Sequence, residues 1–273
     1  MPIRLGAVSY LNARPLVRGL DRWPDRFLVR YDVPSRCAAL LHEGAIDLGL
    51  IPAIEYLGGD YRIVPDVAVV SDGPVASVAL FTRVPVERIR SIALDTSSRS
   101  STTLIRVLCA RHFRIDADFA HEEPDLPAML ARHDAALLIG ERALFADLAG
   151  ALIEKIDLGA AWRTLTDLPF VYAFWAGTPG ILTPEDVERL QEARAAGEHQ
   201  AHEVAAGFFP DDAMKQQEGA RYIRENIRFR LGPREQAGFE RFLRLAHEIG
   251  VAPAPRPLRF YPAFALGSAD PLQ

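Results

Sequence analysis

Short apolar runs, each broken by small polar residues, set the rhythm of this chain. Ile3, Leu5, Ala7 and Val8 predict a strand ending at Ser9, after which Tyr10, Leu11, Asn12 and Pro15 lead into a helix near 14–20. FLVRYDV (27–33) predicts a second strand. Pro34 then opens a helix at its first turn, where a missing N–H costs nothing; Cys37, Ala38, Leu40 and Leu41 form its apolar stripe and Gly44 stops it. IDLGLIPAIEYL (46–57) predicts a buried strand ending at Ile51 and Pro52, with a short helix behind it. Strands and helices taken in turn are the grammar of an α/β fold with a largely parallel sheet.

Residues 62–82 break that rhythm with two strands around the turn Asp72-Gly73-Pro74. The alternation then resumes: strand 91–95, helix 101–112, strand 134–140 with a helix from 141, strand 151–158, and the aromatic strand PFVYAFW (169–175). Beyond 184 the periodicity predicts only helices, at 184–206, 212–228 and 233–249, then a proline-rich tail. Two strand-helix cycles of similar size, joined near 77–82 and 170–176, predict two lobes. Lobe I is expected to comprise 1–80 and 176–273, with lobe II, 81–175, inserted in it. A ligand cleft belongs between such lobes.

Composition narrows the class. Hydrophobic residues make up 49% and charged residues 25% of 273, the profile of a folded domain. A net charge of −5 without a basic run argues against nucleic acid or an anionic membrane surface as a principal partner. No apolar window is long enough to span a bilayer, and MPIRLGAVSYLNARPL lacks the pattern of a secretory signal, so a cytoplasmic location is expected. Cys37 and Cys109 are then expected to be reduced, small hydrophobes. The oligomeric state is not legible.

In an open α/β sheet, ligands gather beyond the carboxyl ends of strands, which makes Ser9 and Asn12 candidate contacts. The competing reading is that Asn12 caps the following helix. The second polar cluster, Thr96 to Thr102, stands between the strand closed by Asp95 and a helix striped by Leu104, Ile105, Val107 and Leu108. Free amides and hydroxyls at a helix N-terminus suit an anion, and Arg99 adds a forked donor; simple capping needs only one of those residues. Ser77 follows a Gly-Pro turn on the first crossing. Gly140 and Glu141 form a third strand-to-helix turn, in which Glu141 reads as a first-turn carboxylate favouring the helix dipole. His199, His202 and Glu203 read as a solvated face, with no third ligand at a zinc-like spacing. G-x-S-x-G, G-x-G-x-x-G and P-loop patterns are absent.

Seven stretches in order carry a resemblance: VSYLNARPL (8–16), DLGLIPAIEY (47–56), SDGPVASVALF (71–81), ALDTSSRSSTTLIRVL (93–108), ALLIGERAL (136–144), DLGAAWRTLTDLPFVYAFWAG (157–177) and RYIRENIRF (221–229). With them the chain resembles the menaquinone-biosynthesis enzymes of the futalosine pathway, the chorismate dehydratase family in particular. Glu141 stands where that pattern has Asp, Ser100 where it has Thr, and Asp167 where it has Gly. The resemblance implies a two-lobed fold like that of type II periplasmic solute-binding proteins. It implies a hydro-lyase that removes water from chorismate to give 3-[(1-carboxyvinyl)oxy]benzoate, without metal or cofactor. It also implies Asn12 and Ser77 as catalytic residues. Asn12 would orient the leaving hydroxyl or a carboxylate, and Ser77 would hydrogen-bond a substrate carboxylate. Ser9, Tyr10, Arg99, Ser100, Ser101, Thr102 and Gly140 are the implied substrate contacts. The alternatives are the sister enzyme forming 1,4-dihydroxy-6-naphthoate and a non-catalytic small-anion-binding protein.

Overall fold

The computed structural model describes residues 1–148 and 152–264. Its strands are β1 (Ile3–Val8), β2 (Phe27–Asp32), β3 (Leu48–Pro52), β4 (Arg62–Ser71), β5 (Val78–Thr82), β6 (Ser91–Asp95), β7 (Asp118–Glu122), β8 (Ala135–Ile139), β9 (Glu154–Asp157) and β10 (Phe170–Gly177). The helices are α1 (Pro34–His42), α2 (Ser100–Leu108), α3 (Leu126–Arg132), α4 (Gly140–Leu144), α5 (Leu158–Thr166), α6 (Pro184–His199), α7 (Ala201–Phe208), α8 (Ala213–Glu225) and α9 (Pro233–Glu248).

The strands form two sheets of one design, ordered β2-β1-β3-β10-β4 and β7-β6-β8-β5-β9. In each, four of the five strands point the same way, and the fourth in order, β10 or β5, runs against them and pairs antiparallel with both neighbours. Strand direction is largely parallel, as expected, but the one reversed strand makes both sheets mixed. The reversed strand is in each case the one the chain enters on arriving from the other sheet. Strand membership also shifts the expected lobe limits. β5, from Val78, lies wholly in the second sheet, and β10, from Phe170, wholly in the first. The crossings therefore fall before Val78 and before Phe170. The start of the expected strand 151–158, at residue 151, and the chain's last nine residues, 265–273, fall outside the described residues.

The expected helix near 14–20 is a 3-10 helix, Leu11–Val17, with Pro15 inside it. Pro15 has no N–H to give and keeps Arg14 away from ordinary helical geometry, so the turn stays tight and short. Helix α6 lies directly on this turn. A side chain at Gly197 would collide with the Pro15 backbone, so glycine permits the approach. Three elements escaped the periodicity. β7 is an edge strand with no buried residue, and α3 and α5 are short helices capped by Asp125 and Asp157, which accept from Ala128 N and Ala160 N.

One apolar cluster runs through both lobes. Trp162 of α5 meets Phe170 of β10 and Phe242 of α9 edge-on, at 5.3 and 6.1 Å between ring centroids. Such pairs add roughly 0.5–1.5 kcal/mol each beyond burial, and here they tie the second lobe to the C-terminal helices. Cys37 and Cys109 are free and buried, as expected. Among the described residues no helix is long and apolar enough to cross a membrane.

Candidate active site

Between the sheets lies a narrow cleft. Four of its walls are the turns that follow parallel strands: Val8, Tyr10, Asn12 and Ala13 after β1; Leu50 and Pro52 at β3; Ser98, Ser100 and Ser101 after β6; Ile139 and Gly140 after β8. Val69, Val78, Tyr172 and Ala173 from β4, β5 and β10 complete an apolar floor. Among the described residues no charged side chain lines it.

The turn after β6 builds itself. Asp95, fully buried, accepts from Ser97 N at 2.8 Å, Ser97 Oγ at 2.6 Å and Ile139 N at 3.3 Å. Burial nevertheless outweighs these bonds and pushes its carboxyl above the usual range. Ser98 Oγ accepts from Ser101 N at 3.3 Å, and Ser100 Oγ accepts from Ile54 N at 3.2 Å. A serine oxygen already accepting an amide keeps its O–H free to donate. Ser98 and Ser100 can therefore offer protons to a ligand anion at the N-terminal end of α2, where the helix dipole adds to them.

The turn after β1 depends on what crosses to it. Tyr10 Oη donates to Ser97 Oγ at 2.9 Å, and Ser97 in turn donates to Asp95. With its proton committed to Ser97, the Tyr10 oxygen has only acceptor capacity left. Burial pushes the phenol up to about 12, so it stays protonated. Gly140 packs under the ring at φ +64°, where a Cβ would stand 3.2 Å from it. Leu11 N donates to Glu141 Oε1 at 2.6 Å. Glu141, read from sequence as a dipole-favouring carboxylate, is therefore a clamp from the opposite lobe, and burial raises its carboxyl above the ordinary range.

Asn12 lines the cleft. Ser77 is 1% exposed, and its Oγ lies 2.6 Å from the hydroxyl of Tyr222 on α8. Its segment is held from both sides. Asp157 accepts from Val75 N at 3.0 Å and from Ala76 N at 2.6 Å, and Asn226 donates to Pro74 O at 3.0 Å. Ala76 sits at φ +60°, a left-handed conformation that this grip maintains.

The structure thus brings Tyr10, Asn12, Ser100, Ser101 and Gly140 to one cleft, with Ser77 just behind it. Three expected contacts lie elsewhere. Arg99 NH1 pairs with Glu55 at 3.0 Å, and Thr102 Oγ1 donates to Ser98 O at 3.0 Å; both line a neighbouring surface pocket. Ser9 is engaged through its backbone, N to Asp32 O and O from Arg14, and is not on the cleft wall. Reasoning from sequence missed Ser98, Tyr172 and Tyr222. Ser98 lay inside the polar cluster already noted, and the tyrosines looked like ordinary core. His199, His202 and Glu203 are exposed, and among the described residues no group of three such side chains converges to hold a metal.

Two lobes of matching strand order around a central cleft define a protein of the periplasmic-binding-protein fold. Solved structures agree. Protein AF1704 from Archaeoglobus fulgidus superposes with a TM-score of 0.69 at 17% identity, covering 92% of this chain and 98% of that one. The alkanesulfonate-binding protein SsuA from Xanthomonas axonopodis pv. citri, bound to MOPS, gives 0.68 at 15%, covering 92% and 94%. A Candida albicans protein described as having the generic periplasmic binding protein fold gives 0.65 at 12%, covering 92% and 91%. The chain itself belongs to the menaquinone biosynthesis family, whose model matches residues 3–248. It is 30% identical to the chorismate dehydratase of Thermus thermophilus over 96% of this chain and 99% of that protein. The chorismate dehydratase of Campylobacter jejuni is 28% identical over 62% and 64%.

Proposed function

We propose that this chain is a chorismate dehydratase, a hydro-lyase that converts chorismate to 3-[(1-carboxyvinyl)oxy]benzoate in menaquinone biosynthesis. The observation that carries the reading is the lining of the cleft: hydroxyls and a carboxamide over an apolar floor, with no charged side chain among the described residues. Such a site suits a reaction in which the protein positions and polarises the substrate and the substrate moves its own proton.

The ring proton on the carbon bearing the enolpyruvyl ether is vinylogous to the ring carboxylate. Its removal sends charge into that carboxylate, and hydroxyls of Ser98, Ser100 and Ser101 aimed there stabilise the transition state more than the ground state. The substrate's enolpyruvyl carboxylate takes the proton and passes it to the departing ring hydroxyl, which leaves as water while the ring becomes aromatic. Asn12 and the oxygen of Tyr10 orient that hydroxyl. Ser77 stands just behind the cleft, hydrogen-bonded to Tyr222. The apolar floor receives the ring and excludes bulk water. A cytoplasmic place of action belongs to the same reading.

The test is direct. Purified protein incubated with chorismate should yield a product lighter by one water, with benzoate absorbance, and Asn12→Ala should lose most of that turnover. Tight binding of chorismate without turnover would identify a binding protein instead. No interaction with chorismate would point to the sister enzyme.

A further inference from the structure

We propose that Ser97 is a positioning residue that sets the specificity of the cleft: through it Asp95 fixes the proton of Tyr10, so that the tyrosine end of the cleft takes a hydroxyl and refuses a carboxylate. The inference rests on the function proposed above and deepens it, by stating how the site tells the ring hydroxyl of its substrate from the carboxylates.

The chain of contacts begins inside the second lobe. Asp95 closes β6, and none of it is exposed. Its Oδ1 accepts from Ser97 N at 2.8 Å and from Ser97 Oγ at 2.6 Å. A backbone amide can only donate, so Oδ1 is held as an acceptor and the serine proton points to it. Toward its other neighbour the serine oxygen then has lone pairs alone, and Tyr10 Oη donates to it from the first lobe at 2.9 Å. A phenol has one proton, and here that proton is engaged; what Tyr10 keeps is acceptor capacity. Ser98 and Ser100 are the reverse case, since each Oγ accepts a backbone amide and has its hydrogen left to give. A carboxylate, which only accepts, is matched by the serines. Against the tyrosine oxygen it would meet lone pairs and lose its water without replacement. Ser97 is 7% exposed and does not line the cleft, whereas Tyr10 does, so the serine acts through the tyrosine. With the Tyr10 ring seated on Gly140, loss of the serine hydroxyl changes where the phenol proton points rather than where the ring sits.

Two rigid probes test this. 4-Hydroxybenzoate and terephthalate share a ring carboxylate for the serines and differ in the para group offered to Tyr10. By calorimetry, wild-type protein should bind 4-hydroxybenzoate about tenfold more tightly than terephthalate. Ser97→Ala keeps the backbone bond to Asp95 and frees the phenol proton to turn to the ligand, so the preference should fall to about twofold or reverse. A variant that was merely loosened would lose both probes alike and keep the ratio. In Tyr10→Phe the preference should also fall, and Ser97→Ala added to it should change nothing further, because the group it directs is gone. Binding of neither probe by wild-type protein, the absence of a preference for 4-hydroxybenzoate, or the full preference retained in Ser97→Ala would each overturn the proposal. A wild-type protein that showed the preference, lost it with Ser97 and still left chorismate untouched would remove the function and leave the role of Ser97 standing. Turnover of chorismate without the preference would do the opposite.

Discussion

The turns after β1 and after β6 occupy equivalent places in two sheets of the same order, yet they are held in opposite ways. The turn after β6 is tied mostly within its own lobe, through Asp95 to Ser97 and Ile139, Ser98 to Ser101, and Thr102 to Ser98. The turn after β1 takes its fixed points from the other lobe: Tyr10 from Ser97 and Leu11 from Glu141. The difference divides the labour of the cleft. On the proposed function, the hydroxyls offered to a substrate anion are ready in one lobe, whereas the groups assigned to the departing hydroxyl take their geometry from contacts across the two lobes. The reaction would then depend on the lobes being together over the substrate.

Removing the anchor of the self-held turn should have the largest effect. Asp95→Ala leaves Ser97 N and Ile139 N without their buried acceptor, and each such orphan costs about 1–3 kcal/mol. A loss of roughly 2–4 kcal/mol in denaturant unfolding is expected. Asp95→Asn, which keeps one acceptor, should lose less. A loss below about 1 kcal/mol for Asp95→Ala would mean that the turn after β6 draws its shape from the other lobe after all.

The two turns were also unequally legible in sequence. Apolar runs such as Leu48–Pro52 and Ser91–Asp95 announced their strands, and the polar burst at 96–102 announced a hydroxyl-rich turn that borders the cleft. What the burst could not say was which of its members face the cleft. On a helical first turn Arg99 and Ser100 differ by about a quarter turn or more, and only the packing of α2 against the first lobe sends Ser100 to Ile54 N and Arg99 to Glu55. Pairing between distant segments was hidden for the same reason. The reversal of β5 and β10 follows from where the chain crosses, not from their residues. Tyr222 lay in the arginine-rich RYIRENIRF, and nothing local marks one apolar-face tyrosine as the partner of Ser77. Leu11 N was equally silent about Glu141.

That last bond offers a gentler way to sharpen the comparison, through pH. Glu141 is raised above its ordinary value of 4.5 because burial disfavours its charge. A carboxyl raised in the folded state contributes stability that is fully present below its unfolded value and is lost as pH rises through the folded one. Glu141→Gln keeps a carbonyl acceptor for Leu11 N and removes the charge. Its melting temperature should match the wild type near pH 4 and exceed it near pH 8, with the gap opening between. Asp95 shifts in the same direction, and Asp47 and Asp186 in the opposite one, so the informative quantity is the difference between variant and wild type. A gap that narrowed with rising pH would show that the clamp on the β1 turn needs the charged carboxylate.

The smallest effect is expected where sequence reasoning expected a large one. Arg99 carries the strongest donor of the polar cluster, and a dianionic substrate invites an arginine. Its guanidinium is 42% exposed and answers to Glu55 at 3.0 Å, on the outer side of α2. An ion pair so placed is worth about 0–1 kcal/mol. Arg99→Ala should therefore leave kcat and KM for chorismate within about twofold, while Ser100→Ala, one residue along, should raise KM severalfold by removing a hydroxyl from the lining. Were Arg99→Ala to lose substrate affinity tenfold, the turn after β6 could not be the self-contained anion site described above. Its hydroxyls would then need a cation drawn in from the rim, and both turns would depend on closure alike.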